Sequence, residues 1–117
     1  MTFSIQEKLL HFKQPAGTSR GVYTTRRIWL LTVEHDGRTA IGECAPLPQL
    51  SCDDIPDYEA VLRRFCDIIE ATGSIPYDEM RTYPSMLFGV ETALAQLSRT
   101  HGLLYDTPFS HGEEGIP

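Results

Sequence analysis

The chain has 117 residues, a formal net charge of −6 and an apolar fraction of 41%. This length is enough for one domain with its own core, so we predict one domain over residues 1–117. An acidic surface repels phosphate backbones, and the longest apolar runs are only a few residues, so we expect neither nucleic acid nor a membrane as a partner.

The cysteines and the N-terminus indicate a compartment. Cys44, Cys52 and Cys66 are an odd number at irregular spacing, without a C-x-x-C motif. That pattern favours reduced thiols over a disulfide framework. The first residues also lack the basic region and apolar stretch of a secretory signal. We therefore predict a cytoplasmic protein.

The first half of the chain predicts an antiparallel meander. Trp29, Leu31 and Val33 alternate on one face of a β-rich run. Asp36-Gly37 then forms a two-residue loop of the type that closes β-hairpins, because both positions favour positive φ. The predicted strands cover residues 3–13, 26–35 and 38–44.

Two segments beside these strands are predicted to be loops of unusual character. Residues 14–21 are polar, and Pro15 and Gly17 interrupt regular structure. The segment ECAPLPQLS after the third strand is stiff, because Pro46 and Pro48 fix φ and favour extended geometry before them. In a meander, both loops emerge at the same end of the sheet. Such loops are either a binding surface or plain connectors.

The apolar spacing changes to steps of three and four after the second loop. This predicts a helix from Ile55 to Thr72, with Ser51 or Asp54 as N-cap and Gly73 as C-cap. A connector over residues 74–83 is predicted to contain one short helical turn.

A second long helix is predicted after Pro84, with Ser85 as its N-cap, ending near Gly102. Its apolar stripe is Leu87, Val90, Leu94 and Leu97. Strands followed by helices indicate an α+β fold, a three-stranded antiparallel meander with a small helical bundle packed on one face.

Motifs for catalysis are missing from the sequence. It contains no G-x-S-x-G, no phosphate-binding G-x-x-x-x-G-K-[ST] and no G-x-G-x-x-G, and its four histidines are far apart. The pair Asp53-Asp54 is interpreted as a structural feature of a helix N-terminus, and Cys44 as a small buried apolar residue. From the residues alone, the chain has no credible catalytic set.

Three segments in chain order carry a resemblance to a known family. They are AGTSRGVYTTRRIWLLTVEHDG (16–37), GECAPLPQLS (42–51) and PSMLFGVETALAQL (84–97). Together they resemble the N-terminal capping domain of the o-succinylbenzoate synthase family. That family lies in the muconate-lactonizing subgroup of the enolase superfamily, which also includes mandelate racemase.

The resemblance implies a cap that works with a second domain. Family members join this α+β cap to a modified TIM barrel, which carries the catalytic lysines and the Mg²⁺ ligands. Their lyase reaction is the syn-dehydration of a cyclohexadiene carboxylate to o-succinylbenzoate, in menaquinone biosynthesis. Neither the barrel nor its K-x-K motif is present in this chain. The resemblance therefore implies that this chain carries no catalytic and no metal-binding residue. It also implies that the partner of this domain is the C-terminal barrel of the same protein.

The resemblance also implies which residues face a substrate. In the family, two cap loops close over the barrel mouth, and these match residues 18–22 and 46–51. Arg20 is the expected partner of a substrate carboxylate, since a guanidinium suits that geometry. Gln49 stands where relatives often have glycine, which implies an altered loop. The expected substrate-binding residues are Ser19, Arg20, Gly21, Leu47 and Leu50.

Two alternatives stay open at this point. Within the superfamily, the same cap serves dipeptide epimerases and N-acylamino acid racemases. In another class, the domain is a stand-alone binding or interaction module, with the two loops as its recognition surface. A cap without its barrel also leaves an apolar face and an open edge strand exposed, which predicts self-association of the fragment.

Overall fold

The computed structural model of the chain describes residues 1–18, 21–98 and 112. Three antiparallel strands form a sheet in the order β1-β2-β3, and helices follow them. The predicted α+β fold, a meander followed by helices, is confirmed. The elements are β1 (Thr2–Thr18), β2 (Gly21–His35), β3 (Arg38–Cys44), α1 (Tyr58–Thr72), α2 (Tyr77–Met80) and α3 (Pro84–Ser98).

The turn between β2 and β3 is the predicted two-residue hairpin loop. Asp36 and Gly37 have φ of 50° and 75°, and they lie between the paired residues His35 and Arg38. Both central residues are thus in the left-handed region, which matches the right-handed twist of the flanking strands.

The first hairpin is longer than the sequence predicts. Residues 14–18, predicted as part of a loop, belong to β1, and β2 begins at Gly21 rather than at residue 26. The pairing shifts register between His11 and Ala16, so Pro15 lies in a bulge where no ladder hydrogen bond requires its missing N–H. A bulge therefore allows a strand to pass through residues that normally end one.

Helix α1 has the predicted apolar face but a different start. It begins at Tyr58, three residues after the predicted Ile55, and its N-cap Asp57 makes no side-chain capping bond. Gly73 at the C-cap has φ of 74°, and its N–H donates to the Ile69 carbonyl, as predicted. The buried residues of α1 are Tyr58, Leu62, Phe65, Cys66 and Ile69.

The connector contains the predicted short helical turn, α2. α3 starts at Pro84, so Ser85, predicted as its N-cap, lies inside its first turn. The predicted stripe of α3 was only partly correct. Val90 and Leu97 are buried, but Leu87 and Leu94 are only half-buried. The other buried residues of α3 are Met86, Gly89 and Ala93. The predicted end near Gly102 lies outside the described residues.

Small residues face the sheet because α3 and β3 approach each other very closely. A Cβ placed on Gly42 would lie 2.0 Å from the Gly89 carbonyl oxygen, and one on Gly89 would lie 2.2 Å from Cys44 Sγ. Neither position has room for a methyl group. The contact between the two glycines therefore sets the position of α3 on the sheet.

The core lies between one face of the sheet and the helices. α3 packs across β3 and β2, and α1 packs beside β1. Trp29, Leu31 and Val33, predicted to share a face, are all buried in this core. On the opposite face, Leu30 and Thr32 are half-buried, and Ile28 is buried but does not belong to this core cluster.

We expect Gly42→Ala to lower the free energy of unfolding by at least about 2 kcal/mol, because the new methyl group must push α3 away from the sheet. Urea denaturation measures this loss. Gly17→Ala is the matched control, since nothing lies within 4 Å of a Cβ at that position. Equal stability of the two variants would contradict the close approach.

Candidate functional site

The segment after β3 is a closed turn with its own hydrogen bonds. The amides of Leu50 and Ser51 donate to the Leu47 carbonyl at 3.1 and 2.9 Å. The Leu47 amide in turn donates to Ser51 Oγ at 2.8 Å. Ser51, predicted as a cap of the first helix, therefore closes this turn instead. We call residues 46–51 the proline loop.

The middle of the proline loop is fixed by a neighbouring carboxylate. The Gln49 amide donates to Asp54 Oδ2 at 3.3 Å, so Asp54, also predicted as a helix cap, serves the loop. Gln49 has φ of 65°, in the left-handed region that favours glycine. The loop therefore holds a non-glycine residue in a conformation that glycine adopts more readily.

Two side chains of β2 attach the proline loop to the sheet. An Arg26 guanidinium nitrogen donates to the Ala45 carbonyl at 2.7 Å, and the Tyr23 hydroxyl donates to the Pro48 carbonyl. Tyr23 is only two residues from Gly21, where β2 begins. The loop after β3 therefore lies at the same end of the sheet as the first hairpin tip, as predicted from the meander.

A buried carboxylate connects the end of the proline loop to α3. Asp53 is 1% exposed, and its Oδ2 accepts hydrogen bonds from the Ser85 amide at 2.8 Å and the Ser85 hydroxyl at 2.5 Å. Its negative charge lies at the N-terminal end of α3, where the helix dipole is favourable. Asp53 thus has the predicted structural role, but at α3 rather than at α1, and it takes the capping role predicted for Ser85.

An aromatic pair extends this network into the core. Trp29 and Tyr58 stack with ring centroids 4.2 Å apart, and Trp29 Nε1 donates to Glu59 Oε1 at 3.1 Å. The Tyr58 hydroxyl hydrogen-bonds Ser85 Oγ at 2.7 Å. Burial raises the pKa of the Tyr58 hydroxyl far above its usual range. Tyr58 is therefore a fixed, neutral member of the network and no general base.

The three cysteines are free thiols, as predicted. Cys44 is fully buried, and burial raises the pKa of its thiol to about 12. A protonated, inaccessible thiol is no nucleophile, so the interpretation of Cys44 as a small apolar residue is confirmed.

A cleft of about 470 Å³ lies between β2, the proline loop and the start of α1. Arg27 is its cation, but Arg27 Nε already pairs with Glu7 Oε1 at 2.7 Å, and both side chains are exposed. The walls combine apolar surface with polar groups from Thr25, Arg27, Asp54 and Tyr58. They include Arg27, Trp29, Pro46, Pro48, Asp54 and Tyr58.

The predicted substrate-binding residues divide into two groups. Ser19 and Arg20 lie outside the described residues, and Gly21 is the first residue of β2, paired with Thr18. In the proline loop, Leu47 is half-buried and Leu50 is 39% exposed. One hydrogen bond from Tyr23 holds the proline loop, with Leu47 and Leu50, near the end of β2 that begins at Gly21.

Sequence reasoning missed the residues that hold the site together. Tyr23 and Arg26 fall in a stretch predicted to be outside or at the edge of a strand, and Ser85 is distant from Asp53 in sequence. A signal was present for Arg27, which continues the alternation of Trp29, Leu31 and Val33 beyond the core.

Within residues 1–18, 21–98 and 112, no three His, Cys, Asp or Glu side chains cluster in a way that could hold a metal ion. In the same residues, no helix has the length and apolar character needed to cross a membrane.

Solved structures place the fold in a known class. An o-succinylbenzoate synthase from Thermosynechococcus elongatus, complexed with Mg in its active site, matches with a TM-score of 0.62 at 24% identity over 86% of this chain and 31% of its own. A mandelate racemase/muconate lactonizing protein from Herpetosiphon aurantiacus gives 0.67 at 16% identity, over 80% of this chain and 28% of its own. These structures share the fold of this chain, a three-stranded antiparallel meander followed by helices, over 31% and 28% of their own length.

A third solved structure comes from Agrobacterium tumefaciens. It is an enolase family member with homology to dipeptide epimerases, holding L-Ala-L-Glu and sodium with an ordered loop. It matches with a TM-score of 0.63 at 21% identity, over 81% of this chain and 29% of its own.

The family itself is shown by sequence. Residues 16–97 match the family described as MenC, N-terminal domain, and the chain belongs to that family. The o-succinylbenzoate synthase of Desulfotalea psychrophila is 43% identical over 53 residues, which cover 45% of this chain. The match spans only 14% of that relative's length.

We expect Asp53→Ala to lower the free energy of unfolding by about 2 kcal/mol, because the start of α3 loses a buried charged acceptor. Asp54→Ala is the matched control, since its carboxylate accepts a long hydrogen bond from the exposed Gln49 amide, and the change should cost less than about 1 kcal/mol. Urea denaturation of both variants measures the difference. Equal losses would refute the special role of Asp53.

We expect Gln49→Gly to be more stable than Gln49→Ala by about 1 kcal/mol, because only glycine adopts the left-handed conformation without a Cβ penalty. Comparing these two variants removes the contribution of the glutamine side chain from the measurement. Thermal unfolding followed by circular dichroism is sufficient. A more stable alanine variant would show that residue 49 is not held at positive φ.

Proposed function

We propose that this chain is the capping, substrate-specificity domain of a Mg-dependent o-succinylbenzoate synthase. It acts only when joined to a barrel that supplies the catalytic lysines and the metal ligands. Membership of the MenC N-terminal family and the o-succinylbenzoate synthase relative support this assignment. When bound by the barrel, Mg²⁺ supplies charge stabilisation beside the substrate carboxylate.

The observation that carries the proposal is the construction of the proline loop. It is closed by Ser51, tied to β2 at Ala45 and Pro48, and still presents Leu50 with 39% of its surface exposed. A rigid loop with an exposed leucine at its tip is suited to cover another surface. Leu47 and Leu50 would then exclude water from a site between cap and barrel, at a small entropic cost because the loop is already ordered.

The first hairpin tip contributes the charge in this proposal. In sequence, Ser19 and Arg20 lie between Thr18, the last residue of β1, and Gly21, the first residue of β2, and Tyr23 of β2 contacts the proline loop. A guanidinium there would bind and orient a small-molecule carboxylate opposite the apolar wall. We also infer a cytoplasmic location, which the three free thiols support.

A dipeptide epimerase is the second candidate, because the Agrobacterium protein matches this fold about as well as the synthase does. The test is an assay of a polypeptide that carries this domain together with its barrel, in the presence of Mg²⁺. We expect dehydration of the cyclohexadiene carboxylate to o-succinylbenzoate. Epimerisation of L-Ala-L-Glu without dehydration would overturn the first candidate in favour of the second.

In that same polypeptide, we expect Arg20→Ala to reduce kcat/KM by about tenfold or more, since a charge-assisted hydrogen bond to the substrate is lost. Arg20→Lys is the control that keeps the charge, and it should retain part of the activity. Steady-state kinetics separate the cases. An unchanged kcat/KM in the alanine variant would remove Arg20 from the substrate site.

A further inference from the structure

Each edge of the sheet is covered at one point by side chains of a helix. On the β3 edge, the Ile41 amide donates to Gln96 Oε1 at 2.8 Å. On the β1 edge, the Phe3 amide donates to Glu70 Oε1 at 2.7 Å, and the Phe3 carbonyl accepts from Arg63 at 2.9 Å. Side chains of α3 and α1 thus cover one point on each edge.

The bonds at Phe3 reveal which residues of β1 direct their backbone outward. Residues of an antiparallel pair alternate between those that exchange hydrogen bonds with the neighbouring strand and those that do not. Phe3 turns both groups away from β2, so Ile5, Glu7, Leu9 and His11 do the same, since the register is regular as far as His11. Within the described part of the chain, no hydrogen bond occupies the outward groups of these four residues.

The same stretch of β1 is accessible on its side-chain faces. Leu9 is 50% exposed, Leu10 is 41% exposed and Phe12 is 36% exposed. α1 covers β1 near the buried Phe3, so the strand beyond Glu7 extends past that contact. An additional strand could therefore approach this edge without displacing a helix.

We propose that residues 7–11 of β1 pair with the same residues of a second copy of this chain, antiparallel, about a two-fold axis at Leu9. An axis at Glu7 would place two carboxylates opposite each other, and an axis at Lys8 would oppose two ammonium groups. The axis at Leu9 places Glu7 opposite His11 and Lys8 opposite Leu10. This stretch is thus complementary to its own reverse, which favours a second copy as the occupant.

The pairing joins two sheets through backbone hydrogen bonds, in the manner of β-strand addition. The outward N–H and C=O groups of Glu7 in one copy pair with those of His11 in the other copy. The outward groups of Leu9 pair with those of Leu9 in the other copy. The contact is small, so the dimer forms in a concentration-dependent way. Its test measures association and not activity, so its failure and the failure of the proposed enzymatic function are distinguishable.

A disulfide across the axis tests the register. Leu9→Cys, in a Cys52→Ser background, places two thiols on paired residues whose Cα atoms lie about 5.5 Å apart, within the range for a disulfide. Leu10→Cys is the matched control, since diagonal neighbours are about 7–8 Å apart. We expect mild oxidation to give covalent dimer at least about tenfold faster with Leu9→Cys. Equal rates, or no dimer from Leu9→Cys, would overturn the proposal.

Sedimentation velocity of the 117-residue chain tests the edge itself. Leu9→Pro removes an outward N–H without breaking the ladder to β2, so it should weaken association about tenfold or more. Ile41→Pro, on the opposite edge, should leave association intact. A wild-type chain that stays monomeric at every concentration would overturn the proposal, as would equal effects of the two substitutions.

If circular dichroism shows that either proline variant is unfolded, a pair of side-chain variants keeps the test valid. His11→Glu places a carboxylate opposite Glu7 of the second copy and should weaken association. His11→Lys places a cation there and should preserve it. His11 is exposed, so neither change touches the core. Equal association of the two variants would contradict the register.

Discussion

The contact between Gly42 and Gly89 is the constraint on which the rest of the described structure depends. Because neither residue has a Cβ, the backbone of α3 lies directly against β3. This position brings the first turn of α3 to Asp53, whose carboxylate accepts both hydrogen bonds from Ser85. Two glycines that are far apart in sequence thus determine where a helix begins, and with it where the chain after the proline loop is held.

The proline loop is ordered by interactions of several kinds. Prolines restrict its backbone, Ser51 closes its turn, and β2 holds the carbonyl of Pro48 and that of Ala45 just before the loop. Gln49 adopts a conformation that glycine would adopt more readily, which indicates that surrounding contacts impose the shape of the loop. A loop that is already ordered loses little entropy when it meets another surface, which agrees with a role as a wall of a site completed by a second domain.

Local signals in the sequence were sufficient for much of the fold. Asp36-Gly37 identified the β2–β3 turn, and the change of apolar spacing after the proline loop identified the helices. The resemblance carried by GECAPLPQLS and its companion segments pointed to the family to which the chain belongs. In each case, the structural cause lies within a few residues of the signal.

Features that depend on distant contacts were missed. Pro15 suggested the end of a strand, but pairing with β2 carries β1 through a bulge to Thr18. Large apolar residues suggested the inner face of α3, but the close approach at Gly42 selects small residues such as Gly89 and Ala93. Asp53 caps a helix that begins some thirty residues later, and no local pattern predicts such a partner.

Hydrogen exchange of the proline-loop amides in the isolated chain tests the central claim most directly, namely that the loop is ordered before it meets a barrel. The amides of Leu47, Leu50 and Ser51 are all hydrogen-bonded. We predict that they exchange at least about a hundredfold more slowly than in an unstructured peptide. Exchange at unstructured-peptide rates would show that the loop is ordered only by a partner, and would contradict this account.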